Sequence, residues 1–230
     1  MKSMVVIPAY NEEKSIYKVV KRVQNCGMKI DVVVVNDGSE DRTSEEARRA
    51  GAIVINLPLN VGIGGAVQTG YLYAVYHGYD AVVQIDGDGQ HDPVDLPNLL
   101  SKLQNGEADM VIGSRFVEKS DYKPSFFRKI GILFFSKLIS LLTGEKFTDT
   151  TSGYRAVNRK VMELFAKYYP SDYPEPETIV YLKRHGMKIK EIPTLMNERE
   201  TGKSSITPLK SVYYMIKVTF CLLLQDLKGV

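Results

Sequence analysis

Short apolar runs that each end in a polar cluster and then give way to a helix-length segment constrain this chain more than any other feature. The runs are Met4–Ile7, Val32–Val35, Ala52–Leu57, Ala81–Ile85 and Met110–Ile112. Val32–Val35 is wholly β-branched and apolar, the composition of a strand covered on both faces. Between the runs, Glu12–Gln24 carries Ile16, Val19, Val20 and Val23 at three- and four-residue spacing, which predicts a helix. Arg42–Ala50, Gly62–Tyr76 and Pro93–Gln104 read as helices too, the last opened by Asp92 as N-cap with Pro93 at the first position. Strands separated by such helices need crossover connections. The expected fold is therefore α/β, with a mostly parallel central sheet flanked by helices. Ligands of such sheets bind beyond the carboxyl ends of the strands. The polar clusters fall at those ends: Pro8–Glu12, Asn36–Ser39, Asn60–Gly65, Asp86–His91 and Gly113–Arg115.

The second half is less regular. Ser125–Leu142 reads as an amphipathic helix, with Arg128, Lys129 and Lys137 on one half and Phe126, Phe127, Ile130, Phe134 and Leu138 on the other. Asn158–Lys167, Glu177–His185 and Leu209–Leu227 read as helices and Lys188–Ile192 as a strand. Thirty basic against 27 acidic residues give a net charge of +3, too small to indicate a nucleic-acid partner, and 44% hydrophobic content excludes disorder. Cys26 and Cys221 are too few for a disulfide framework or a four-cysteine zinc site. The apolar stretch Val212–Leu224 is interrupted by Lys217 and falls short of the roughly 20 residues that span a bilayer. One intracellular domain over residues 1–230 is the expectation.

The chemistry concentrates after the fourth run. Asp86 and Asp88, with glycines between and beyond them, can converge on one hard cation, Mg²⁺ or Mn²⁺, and Gln90 can add a neutral oxygen. His91 reads as a turn-packing residue. Asp37 either accepts hydrogen bonds from a ribose or base, or stabilises its own turn. Gly62, Gly64 and Gly65 can turn backbone N–H groups toward phosphate at a helix N-terminus. Arg115 follows the fifth run, and the short basic segment Arg199–Ser205 carries Arg199 and Lys203, which can offset the charge of a diphosphate.

The ordered set Pro8-Ala9-Tyr10-Asn11-Glu12-Glu13, Asn36-Asp37-Gly38-Ser39, Asp86-Gly87-Asp88-Gly89-Gln90-His91, Gly113-Ser114-Arg115-Phe116, Thr151-Ser152-Gly153-Tyr154-Arg155 and Arg199…Gly202-Lys203-Ser204 resembles family 2 glycosyltransferases. Within that family it is most similar to the dolichol- and polyprenyl-phosphate sugar synthases. The resemblance implies a GT-A fold, a nucleotide-sugar donor, a divalent metal (Mg²⁺ or Mn²⁺) and an inverting transfer. It places the nucleotide-sugar half in residues 1–116, the acceptor-side half in 117–207 and a membrane-interfacial helix in 208–230. By position, Pro8, Tyr10, Glu12 and Asp37 would hold the nucleotide, and Asp86, Asp88 and Gln90 the metal. Arg115 and Arg128 would face the acceptor phosphate and the donor, Arg199 and Lys203 would close over the diphosphate, and Asp149 and Ser152 would line the acceptor side.

The implied reaction is transfer from UDP-glucose, with GDP-mannose and UDP-N-acetylglucosamine close behind, to undecaprenyl or dolichyl phosphate, for cell-envelope glycan modification. Two other readings stand beside it. One is extension of a cell-surface polysaccharide at a sugar hydroxyl, with Asp149 as the base. The other is a non-catalytic nucleotide-sugar-binding module. Many family members carry transmembrane helices that this sequence does not show. The expectation is a cytoplasmic protein, peripheral at the inner face of the cytoplasmic membrane. Ser125–Leu142 and Ser211–Leu224, or a small integral membrane partner, would hold it there, and self-association is compatible with that arrangement. Ordinary core packing is the competing role for both segments.

Overall fold

Alternation along the first strands decides the layering of the molecule. In the computed structural model, which describes residues 1–117, 126–197, 213 and 215–222, β1 (Ser3–Ala9) and β2 (Asp31–Asn36) pair in parallel. Successive side chains of a strand point to opposite faces. Met4, Val6, Val33 and Val35 accordingly enter one apolar cluster, and Val5, Ile7, Val32 and Val34 enter another. The second cluster is covered by α1 (Ile16–Gln24), α2 (Thr43–Arg49) and α4 (Leu96–Gln104). The first is covered by α3 (Gly62–Tyr76), α5 (Phe126–Thr143), α6 (Arg159–Lys167), α7 (Pro174–Arg184) and a helical segment at 215–222.

The remaining strands are β3 (Ile53–Asn56), β4 (Ala81–Gln84), β5 (Met110–Ser114), β6 (Arg155–Asn158) and β7 (Ile189–Pro193). Their order is β3-β2-β1-β4-β6-β5-β7. Only β6 among them runs against its neighbours, pairing antiparallel with both β4 and β5. The carboxyl ends of β1, β2, β4 and β5 therefore open on one side, where the polar clusters lie.

Several boundaries differ from the sequence expectation. β6 was not anticipated, because a four-residue Arg-Ala-Val-Asn segment shows no legible period. Helix α1 starts at Ile16 rather than Glu12, since the Glu12 carbonyl accepts from Ser15 and Ile16 in a preceding turn. Helix α7 starts at Pro174, ahead of Glu177, with proline at its first position. A 3₁₀ turn, Pro93–Asp95, precedes α4, and Asp92 caps it by accepting from the Val94 N–H at 3.0 Å.

The two segments expected at a membrane each bury one face and show another. Ile132, Phe135 and Ile139 of α5 are buried, while Ile130, Leu133, Phe134 and Leu141 are exposed. Val218 and Leu222 are fully buried, while Tyr213, Ile216 and Phe220 are exposed. Among the described residues, no helix is long and apolar enough to cross a membrane.

Candidate active site

The ends of β1, β2 and β4 border a cleft of about 640 Å³ that brings together Pro8, Tyr10, Glu12, Asp37, Asp86 and Asp88. Among the described residues, Glu13 and Asp41 add two more carboxylates, against a single Lys14. A cleft with this surplus of acid repels a diphosphate unless a cation intervenes. Glu12 is fixed from two sides: its N–H donates to Thr43 Oγ1 at 2.7 Å, and its Oε2 accepts from Ser15 Oγ at 2.6 Å.

Asp37 is almost fully buried. Its Oδ1 accepts from the Val61 N–H at 2.8 Å and its Oδ2 from the Gly62 N–H at 3.0 Å. The carboxylate thus ties the end of β2 to the start of α3, the turn-stabilising role, while still lining the cleft. Gly38 makes this possible: its φ is +67°, and a Cβ there would lie 2.7 Å from the Asn60 nitrogen. Gly64 has a different place from the one its spacing suggested. Its N–H donates to the Ser171 carbonyl at 3.1 Å, and a Cβ would fall 2.0 Å from the Pro170 oxygen. It is a close-packing glycine between α3 and the 170–171 turn, not a phosphate cradle.

The turn after β4 is built around Asp86. The Asp86 N–H donates to His91 Nδ1 at 3.2 Å, which puts the proton of a neutral imidazole on Nε2, 3.8 Å from Asp86 Oδ2. The His91 ring stacks on Tyr154, with centroids 5.0 Å apart. Asp88 is buried, and its Oδ1 accepts from the Gln90 N–H at 3.1 Å. Gln90 is half-buried on the same turn, and its carbonyl accepts from Asn197.

Asp86 Oδ1 is buried and, among the described residues, has no hydrogen-bond partner. Facing this carboxylate is Gly153, where a Cβ would sit 3.0 Å from one oxygen and 3.1 Å from the other. Burial pushes the Asp86 carboxyl above its ordinary value, opposed by His91, by the neighbouring Gln84 amide, which does not reach hydrogen-bond geometry, and by Arg115, and reinforced by Asp88. An orphaned, desolvated carboxylate oxygen beside a second carboxylate fits a hard divalent cation. Among the described residues, no group of three or more His, Cys, Asp or Glu converges. Mg²⁺, however, is commonly held by only one or two carboxylates plus substrate phosphates.

On the acceptor side the geometry departs from the expectation. Asp149 is fully buried and grips Arg115: Arg115 Nε donates to Oδ2 and Nη2 to Oδ1, both at 2.6 Å. The Arg115 N–H also donates to Oδ2, at 3.0 Å. Asp149 is therefore a strut for Arg115, with no exposed oxygen to serve as a base. Ser152 is likewise buried, its hydroxyl donating to the Gly113 carbonyl at 2.6 Å. The Arg128 side chain, Arg199 and Lys203 lie outside the described residues.

Several participants carry no legible signal of their own. Arg155 is fully buried and donates to Ser152 O, Thr150 O and Thr178 Oγ1, joining the 150–152 loop to α7. Glu175, between two prolines in the first turn of α7, is pushed above its ordinary value by burial. Arg155 and Arg115 oppose that shift, and Asp86 adds to it, so the four groups share one electrostatic neighbourhood. Glu191, in β7, accepts from the Asp149 N–H at 2.7 Å.

A family model described as Glycosyl transferase family 2 matches residues 4–165. The chain is 32% identical over 209 residues to the UDP-N-acetylglucosamine–dolichyl-phosphate N-acetylglucosaminyltransferase of Methanococcus voltae, covering 82% of this chain and 83% of the relative. It is 32% identical over 217 residues to the undecaprenyl-phosphate mannosyltransferase of Micrococcus luteus, covering 90% and 88%. Glucosyl-3-phosphoglycerate synthase of Mycobacterium tuberculosis, solved with Mn²⁺, UDP and glucosyl-3-phosphoglycerate, superposes with a TM-score of 0.75 over 98% of this chain and 79% of that one. At 21% identity, that likeness is one of fold.

Proposed function

The chain belongs to glycosyl transferase family 2 and is a glycosyltransferase, and from that premise we propose that it transfers a sugar, with inversion, from a nucleotide-sugar to a polyprenyl phosphate. The relatives named for dolichyl and undecaprenyl phosphate support the acceptor class. They are named for different sugars, so the donor rests on the weaker preference for UDP-glucose over GDP-mannose and UDP-N-acetylglucosamine.

The observation that carries the reading is the pairing of an acidic, cation-demanding donor cleft with an acceptor side whose Asp149 is spent on Arg115. A phosphate monoester has its second pKa near ~6 and is mostly dianionic at neutral pH, so it attacks the anomeric carbon without a strong general base. A sugar hydroxyl would need one.

In this reading Asp86 and Asp88, with Gln90, hold Mg²⁺ or Mn²⁺. The metal, when bound, neutralises charge on the leaving nucleoside diphosphate. Pro8, Tyr10, Glu12 and Asp37 line the nucleotide's place, and His91 fixes the backbone of Asp86. Arg115 and Arg128 serve the acceptor phosphate, and Arg199 and Lys203 the diphosphate, as positioned charges. The exposed Ile130, Leu133 and Phe134 of α5, with Lys129 and Lys137 beside them, and the exposed Ile216 and Phe220 meet the membrane surface that supplies the lipid.

One observation favours transfer to a hydroxyl as a second reading. Glu175 is a carboxyl of raised pKa in the neighbourhood of Asp86 and Arg115, the property of a general base.

The test is incubation of the protein with Mn²⁺, a panel of nucleotide-sugars and undecaprenyl phosphate. An acid-labile lipid-linked sugar formed from one donor is expected. Extension of water-soluble glycans alone contradicts the reading.

A further inference from the structure

We propose that Glu191 is a positioning residue for the acceptor phosphate, acting through Asp149 on Arg115; the inference rests on the acceptor reading above. Glu191 lies on β7 opposite Ile112 of β5, two strands that run in parallel. Its carboxylate receives three donors from the loop that follows α5. The Thr148 N–H donates at 2.8 Å, the Thr148 hydroxyl at 2.9 Å and the Asp149 N–H at 2.7 Å. Burial pushes the Glu191 carboxyl above its ordinary value and Asp149 adds to this, while the two N–H groups and the hydroxyl pointing at it oppose the shift by favouring the acceptor-only form. Because Thr148 Oγ1 donates to Glu191, its contact with Ser114 Oγ at 2.9 Å has Ser114 as donor. A directed chain thus runs from the end of β5 through Thr148 to Glu191.

The consequence lies one residue further on. With its backbone held by Glu191, Asp149 turns its carboxylate onto Arg115 in a two-pronged pair. Arg115 Nη2 also donates to Thr151 Oγ1 at 2.9 Å, in the same loop. Its Nη1 points to Met196 Sδ at 3.9 Å, beside the segment where Met196 bridges His91 and the Asn197 N–H donates to the Gln90 carbonyl. Arg115, itself almost fully buried, is therefore held beside the turn that carries Asp86 by a chain of two acids, of which only Asp149 touches it. Charge-assisted hydrogen bonds of this kind fix geometry as well as adding energy. Removing the outer acid frees the loop backbone and lets the Arg115–Asp149 pair swing away from the donor.

The experiment measures steady-state kinetics with undecaprenyl phosphate and the accepted nucleotide-sugar for wild type, Glu191→Ala, Glu191→Gln, Arg115→Met and the Glu191→Ala/Arg115→Met double variant. Glu191→Ala is expected to raise the acceptor KM about 10-fold, the scale of a lost charged hydrogen-bond partner, with the donor KM within about twofold. Glu191→Gln keeps one accepting oxygen and shifts the acceptor KM in the same direction by less, which secures the result should the alanine variant fold poorly. Because the effect passes through Arg115, Glu191→Ala adds under about twofold in the Arg115→Met background. An unchanged acceptor KM, equal rises in both KM values, or multiplying effects in the double variant overturn the inference. A wild-type protein that binds UDP with Mn²⁺ but leaves undecaprenyl phosphate unglycosylated overturns the acceptor reading and this inference together. Failure of the variants alone overturns only the latter.

Discussion

Gly153 stands where any side chain would press on Asp86: a Cβ there would lie 3.0 and 3.1 Å from the two carboxylate oxygens, close enough to push them by a few tenths of an ångström. This close approach brings the loop before β6 against the turn after β4 across the end of the sheet. Gly153→Ala is compatible with the backbone, since Gly153 is not among the residues of positive φ. The substitution is therefore expected to fold and to displace Asp86. A misplacement of about 1 Å can cost roughly 100-fold in rate, so a shift of a few tenths of an ångström is expected to lower kcat/KM by roughly 3- to 10-fold with an unchanged melting temperature. Near-normal activity would show that Asp86 does not work from this position.

Asp88→Ala removes the second carboxylate of the turn. Turnover is expected to vanish at saturating donor with Mn²⁺. Calorimetry gives an independent reading: UDP binding should become insensitive to Mn²⁺, because the acidic cleft no longer gathers the cation that screens it. Metal-enhanced UDP binding in the variant would remove Asp88 from the metal site.

Glu175→Gln separates the two acceptor classes. With a phosphate nucleophile no base is required, and kcat should stay within about threefold of wild type, below the 10²–10⁴-fold that a general base contributes. A loss in that larger range would favour a hydroxyl acceptor with Glu175 as its base.

Stability should carry a pH signature from Glu177. This residue is buried on α7, and burial pushes its carboxyl up to about 7, with Lys217 opposing and Asp172 adding. In the unfolded chain it titrates near 4.5. Between these values the folded state holds the extra proton, so its contribution is fully present below about 4.5 and is lost as pH rises through about 7. The loss is about 3 kcal/mol at most. Glu177→Gln should thus be more stable than wild type at pH 8, relative to the difference between the two at pH 5. Denaturant unfolding at both pH values checks this, and a pH-independent difference contradicts it.

Much of the architecture was legible in the sequence because it is local. Val32–Val35 declares a doubly buried strand, and the clusters after Ile7, Val35 and Ile85 mark the ligand end of a parallel sheet. The Asp86/Asp88 turn was legible for the same reason. The bracing of the site was not, because it is made of contacts between distant segments. Asp149 has the residue type of a candidate base, but its carboxylate is held by Arg115, a contact across 34 residues of chain. Glu191 sits in a short strand segment with no alternating pattern to mark it, yet it holds the loop that carries Asp149. Gly64 has neighbours typical of a phosphate loop, but its N–H is used by Ser171. Arg155 begins a strand too short to show a period, and its burial depends on three acceptors contributed by loop and helix.

The central claim is that a lipid phosphate, rather than a hydroxyl, is the nucleophile. The most direct measurement offers undecaprenyl phosphate and undecaprenol side by side, with radiolabelled donor and Mn²⁺, in the presence and absence of EDTA. The account predicts label in the lipid phase only with the phosphate, lost on chelation and released by mild acid. Equal labelling of the alcohol, or label confined to water-soluble glycan, would contradict it.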